Sequence, residues 1–192
     1  MTKRGFLKGK LLIAMPSIQG DDFSHSVVFL CEHNPEGAMG LVLNKPAPRM
    51  IFADLVEKLD IGRTPGLVED EIMQVPVMLG GPVKQFQGFV LHTSDYKSEE
   101  TLKVAPGYAL TATVDVLRAI AAGKGPKRKI LALGYAGWSP GQLEDEILRN
   151  GWLTCDADAD LVFSGETATK HEAALKKLGV DPGMLSSDAG HA

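Results

Sequence analysis

Residues 25–46 read HSVVFLCEHNPEGAMGLVLNKP, an apolar run, a turn and a second apolar run. Side chains alternate along a strand, so Val27, Phe29, Cys31 and His33 should share one face, with Val28, Leu30 and Glu32 on the other. A strand apolar on both faces belongs in the middle of a sheet that is covered on both sides. Asn34-Pro35-Glu36-Gly37 has the chemistry to reverse the chain, because Pro35 fixes φ and Gly37 reaches positive φ. The second run then returns antiparallel, closing a hairpin that Pro46 and Pro48 stop.

Outward from the hairpin, KLLIAMP predicts a strand from Lys10 to Met15, and IMQVPVMLGGPV one that ends at Gly80-Gly81-Pro82. GFVLHT and KRKILALGYAGW predict two more, and DLVF at 160–163 a short one. Helical spacing runs from Ile51 through Leu55, Val56 and Leu59, with an acidic, turn-rich loop after it as far as residue 71. TVDVLRAIAAGKGP predicts a helix with Thr113 as N-cap. SPGQLEDEILRNGW is the clearest helix, with Ser139 as N-cap, Pro140 at the first position and Gln142 completing a capping box. A last helix lies in ETATKHEAALKKLGV. Hairpins first, then alternating helices and strands, favour an α+β domain on a mixed sheet over a doubly wound parallel fold.

The chain of 192 residues suits one domain over 1–192, with a basic N-terminal segment at 1–9 and a tail at 181–192 that frays or docks. Its 44% hydrophobic and 23% charged composition is globular. A net charge of −4 argues against nucleic-acid binding by the whole surface. MTKRGFLKGK carries four basic and no acidic side chains, leaving 16 basic against 24 acidic in the remainder. The apolar run after it is too short for a signal peptide, and no run reaches the ~18 apolar residues of a membrane span. Cys31 and Cys155 are the only cysteines, which fits reduced thiols in a cytosolic protein better than a disulfide framework.

Cys31 and His33 are the first candidates for chemistry. On one strand face they would stand roughly 6.6 Å apart at Cα, from a rise of ~3.3 Å per residue. His33 could then tune a reactive thiolate, but burial beside Val27 and Phe29 would raise the thiol pKa and quiet it. A metal set of His25, Cys31 and His33 spans too far along one strand for zinc. LGYAGWSPGQ delivers Gly134 and Gly137 to a helix start, either as a ligand-facing loop or as a tight turn whose glycines permit close packing. Glu144, Asp145 and Glu146 would repel phosphate there. His92 reads as a hydrogen-bonded structural histidine, and no serine has the GxSxG setting of a hydrolase.

GKLLIAMP, SVVFLCEHNPEGAMGLVLNKP, LGGPV, GFVLH, LGYAGWSPGQLEDEI, NGWL and ALKKLGVDPGMLSSDAGHA together resemble the AlgH/YqgE family, in order and nearly end to end. Lys170-His171 departs from it, standing where an aromatic, typically Trp, is expected. The resemblance implies a single intertwined α+β domain, with a strongly curved mixed sheet around a small barrel-like core and helices packed outside. It also implies a bacterial cytosolic protein and no particular enzyme activity. Some members carry a transcriptional-regulator label, but no helix-turn-helix pattern or basic recognition helix is visible, so direct DNA binding is not expected.

Carried over by position, the two blocks mark Cys31, Glu32, His33, Asn34, Gly37 and Gly40, then Gly134, Tyr135, Gly137, Trp138, Gln142, Leu143 and Glu146. The expected surface for a ligand or partner is Glu32, Asn34, Gly37, Gly134, Tyr135, Gly137, Trp138 and Gln142. The leading reading is a non-enzymatic regulatory or ligand- or partner-binding protein without a cofactor or metal. The alternative is a redox-sensing or catalytic protein using a Cys31 thiolate tuned by His33.

Overall fold

The computed structural model describes residues 5–63 and 68–185. The hairpin organises it. β2 (Val27–Asn34) lies between β1 (Lys10–Ala14) and β3 (Gly37–Val42), antiparallel to both. Val27, Phe29 and Cys31 enter one core with Leu11, Ile13 and Leu41, while Val28 and Leu30 enter another with Leu12 and Leu143. The strand is covered on both faces, as its sequence demands. Pro35 and Glu36 form the two-residue turn between the closing pair Asn34 and Gly37. Asn34 Oδ1 accepts the Glu36 N–H at 2.8 Å.

β4 (Pro46–Ile51), α1 (Phe52–Lys58), α2 (Asp70–Met73), β5 (Pro76–Leu79) and β6 (Val83–Thr93) follow. β7 (Thr101–Ala105), β8 (Tyr108–Thr111) and α3 (Val114–Ala121) lead to the spine of the molecule, β9 (Lys129–Trp138). α4 (Gln142–Leu148), β10 (Trp152–Asp156), α5 (Ala159–Val162) and α6 (Lys170–Lys177) complete the chain before a short 3-10 turn at Pro182–Met184.

β9 splits the sheet. Leu131–Leu133 pair in parallel with β5, Ala136–Trp138 pair antiparallel with β3, and β6 runs antiparallel to β9 as well. The path is β10-β1-β2-β3-β9-β6-β8-β7, with β4 attached through β5. This mixed α+β sheet curls strongly around the first core, where Leu91, Leu110 and Ile130 from the β6–β9 half meet Phe29 and Leu41 from the β1–β3 half. Val162 of α5 and Ala174 and Leu175 of α6 cover that interior. A second core packs α1 and α3 on the outer face of β5, β6 and β9 through Phe52, Val77, Val90, Val116 and Ile120. The third holds α4 and both tryptophans on the outer face of β1–β3.

Several local expectations are corrected. DLVF is helical, not a strand, because the Asp158 side chain caps α5 by accepting the Asp160 and Leu161 N–H groups. The return strand of the hairpin does stop before Pro46, at Val42, but Pro46 and Pro48 then lie in a new strand, β4, which pairs only with β5 and so needs fewer donors. Residues 70–73 form a helical turn, and the strand starts at Pro76. Thr113 and Ser139 make no side-chain cap bond, and α4 starts two residues later than expected, behind Gly141. The Gln142 half of the expected box does form, its Oε1 accepting the Ser139 N–H at 3.0 Å. Of the sequence-based segments, residues 1–4, 64–67 and 186–192 lie outside the described residues.

Candidate functional site

Cys31 and His33 do not share a face. The β2–β3 register shifts between Leu30 and Glu32, so Cys31 occupies a bulge. Beyond it Glu32 pairs with Met39, which packs on the first core, and His33 with Ala38, which belongs to the third. One extra residue thus sends Cys31 inward and His33 outward. Cys31 is 4% exposed and its Sγ donates to the Phe29 carbonyl at 3.8 Å. Burial pushes the thiol up to about 12, with Lys8 opposing and Glu32 adding to the rise.

His33 is committed elsewhere. Its Nδ1 accepts the Leu7 N–H at 2.9 Å, which leaves the proton on Nε2 to donate to Glu144 Oε1 at 2.9 Å. The Phe6 ring meets it edge-on at 5.3 Å. The histidine therefore ties the N-terminal segment and α4 to the hairpin.

The two blocks do meet. β3 and β9 pair through Ala38–Trp138, Met39–Gly137 and Gly40–Ala136. Gly37 has φ +138°, and a Cβ there would stand 2.3 Å from the Trp138 carbonyl oxygen. An open polar groove of about 690 Å³ lies along this seam. Glu32, Asn34 and Gly37 line it from the hairpin, and Tyr135, Gly137 and Trp138 from β9. Lys84 and Gln87 of β6, Glu36, and Ser139-Pro140 complete its rim, with Met39 and Phe89 at its base. Sequence spacing missed Lys84 and Gln87 because β6 leaves β9 there: Val83 pairs with Tyr135, yet Gly88 pairs with Leu133. Lys84 itself has φ +48°, a conformation that no glycine or asparagine advertises.

Gly134 and Gln142 do not line the groove. Gly134, at φ +73°, packs against the Gly81 carbonyl, where a Cβ would approach to 2.4 Å. Its glycine serves close packing against the LGGPV turn. Gln142 Nε2 donates to Glu146 Oε1 at 2.9 Å, while Glu146 Oε2 accepts from Trp138 Nε1 at 3.0 Å and Trp152 Nε1 at 2.8 Å. Glu146 thereby fixes both indoles, whose rings meet edge-on at 6.0 Å. Glu144 and Asp145 fill the first turn of α4, so this end does not attract an anion.

In the groove, Glu32 pairs with Lys8 at 3.0 Å in a half-exposed bridge worth at most ~1 kcal/mol. Glu36 makes no ion pair among the described residues. Elsewhere, His92 is buried, donating from Nδ1 to the Thr93 carbonyl and accepting from Thr111 at Nε2, both at 2.8 Å. Its pKa is lowered by burial, against the Thr93 bond and Asp95. His171, of the Lys170-His171 pair that stands where an aromatic is expected, lies edge-on to His25 at 5.4 Å and donates to the Ala14 carbonyl. No cluster of three metal-ligating side chains is present among the described residues. No helix among them is long and apolar enough to cross a membrane.

Comparison with known proteins agrees with this architecture. An AlgH-like family model matches residues 11–183. A UPF0301 protein of Rhodopseudomonas palustris strain HaA2 is 54% identical over 97% of this chain and 87% of its own length. One from Jannaschia sp. strain CCS1 is 53% identical over 97% and 95%. The solution structure of the AlgH protein from Pseudomonas aeruginosa superposes with a TM-score of 0.77 at 40% identity, covering 100% of this chain and 99% of that one. A crystal structure from Corynebacterium diphtheriae, at 19% identity and a TM-score of 0.69 over 92% and 90%, shares the fold.

Proposed function

The chain belongs to the AlgH-like family, and we propose that it is a cytosolic, non-enzymatic binding protein with a regulatory role. Its ligand, a small polar molecule or a partner's segment, would lie in the groove between the hairpin and residues 135–140. One observation carries this reading: residues far apart in sequence converge on an open polar groove whose Asn34, Glu36, Lys84 and Gln87 side chains are placed for hydrogen bonding. Glu36 and Lys84, neither in an ion pair among the described residues, favour a ligand that offers both donor and acceptor groups, such as an amide. A thiolate mechanism at Cys31 is disfavoured by the bulge, which parts it from His33, and by its burial.

Amide NMR titrations with guanidinium, acetamide and acetate test the reading. Acetamide and guanidinium should shift resonances clustered at Asn34, Glu36, Tyr135 and Gly137, and acetate, drawn to Lys84, should shift that cluster less. Gly137→Gln should suppress the cluster, since a Cβ at this position meets nothing closer than 3.5 Å and its side chain would enter the groove. Shifts scattered over the surface, or unaltered in that variant, would sink the proposal.

A further inference from the structure

We infer that the outer face of β6 and β9 carries a second site, an apolar groove that takes a free single-chain carboxylate. α1 and α3 cover this face only in part. Between them a cavity of about 430 Å³ reaches the sheet, walled chiefly by Leu55, Val114, Leu117 and Leu131. That volume falls among small-molecule sites, which run from ~300 to 1,000 Å³ with mainly apolar walls. The departure of β6 from β9 after Val83 forms one rim and holds Phe86 fully exposed. Leu59 and Val114 are also exposed at the mouth. An aromatic ring so displayed beside an apolar slot is positioned to cover a bound chain.

Charge selects the occupant. Lys58 at the end of α1 is the one ionisable side chain in the lining, and it makes no ion pair among the described residues. No carboxylate lines the groove, and Asp115 beside it on α3 is held by Arg118 at 3.1 Å. A cation at the mouth of an apolar slot complements an alkyl chain with an anionic head and repels one with a cationic head. A single slot between two helices admits one chain. The polar groove lies across the β6 excursion and shares Phe89 with this site, whereas Leu55, Val114, Leu117 and Leu131 line the apolar site alone.

Methyl-labelled protein titrated with hexanoate, octanoate and decanoate below their micellar concentrations tests this site. Saturable shifts should be confined to Leu55, Val114, Leu117 and Leu131, with affinity rising about fourfold per methylene, ~0.8 kcal/mol, until the slot is full. Decylammonium should bind roughly fivefold to tenfold more weakly than decanoate. Lys58→Glu, a surface change in the last turn of α1, should reverse that order and lower Tm by no more than a few degrees, and Leu117→Trp should abolish binding by filling the slot. Affinity independent of chain length or head-group sign would overturn the assignment. So would concentration-dependent dimerisation that shifts the same methyls without carboxylate, which would give the groove to a second copy.

Discussion

The two ends of β9 use one strand in opposite ways. At Gly134–Trp138 the backbone is drawn close to the Gly80-Gly81 turn and then to β3, and side-chain hydrogen bonds are satisfied by Glu146. At Lys129–Leu133 the strand is padded by aliphatic side chains from α1 and α3 that leave a slot open. Close backbone approach gives a rigid seam with little tolerance for substitution. Aliphatic padding tolerates change but leaves apolar surface to be covered.

Gly81→Val should break the first end outright. Gly81 has φ +152°, and a Cβ there would fall 2.1 Å from the Tyr135 carbonyl carbon. Neither the backbone nor its neighbour can yield, so a loss of more than about 4 kcal/mol, on the order of 10 °C in Tm, is expected. Gly137→Ala is the contrast: without positive φ and with 3.5 Å of clearance, it should remain within about 0.5 kcal/mol of wild type. Equal effects in thermal melts would refute the close-approach account.

Next in size is Glu146→Ala, which strips the acceptor from two indole N–H groups and should cost about 2–4 kcal/mol. Glu146→Gln keeps an oxygen and should recover about half. Tryptophan emission reads both changes directly, because Trp138 and Trp152 are the only two in the chain. An unchanged melt and spectrum in Glu146→Ala would remove this residue from the seam.

What the sequence disclosed follows from range. The two apolar faces of β2 and the Asn34–Gly37 turn are local properties, and both stand in the structure. The bulge at Cys31 is not local: it is set by register against β3, and no residue type marks it, so plain alternation puts Cys31 and His33 on one face. Gly81 and Gly134 each looked like a turn glycine, yet they are partners across 53 residues of chain. Lys84 and Gln87 enter the groove through an excursion whose one local mark is Gly88, the strand glycine at which pairing with β9 resumes. The Asp158 cap was legible, and only the β-rich composition of DLVF concealed it.

Cys31 offers a smaller, kinetic test of the same geometry. With Cys155→Ser in place, alkylation of the native protein should be slow, should quicken on partial unfolding, and should show no inflection below pH 9, since burial holds the thiol near 12. Fast native labelling with an inflection under pH 8 would restore the paired-thiol reading and undo the bulge assignment.

The smallest effect concerns pH. Burial lowers the pKa of both His92 and His171, with His25 adding to the depression at His171. The unfolded chain, with histidine near pH ~6.5, then binds protons more readily than the folded one. Stability should therefore be full above that value and decline as pH falls below it, until the folded-state pKa values are passed. The slope can reach at most about one proton per histidine. His92 sits in a chain of hydroxyls formed by Thr111, Thr101 and Ser98, remote from the seam, whereas His171 joins α6 to β1 through the Ala14 carbonyl. His171→Asn should flatten part of the slope and leave the His92 share. Denaturant melts at pH 7.5 and 5.5 measure it, and a slope untouched by His171→Asn would assign the whole of the acid sensitivity to the β6–β8 half.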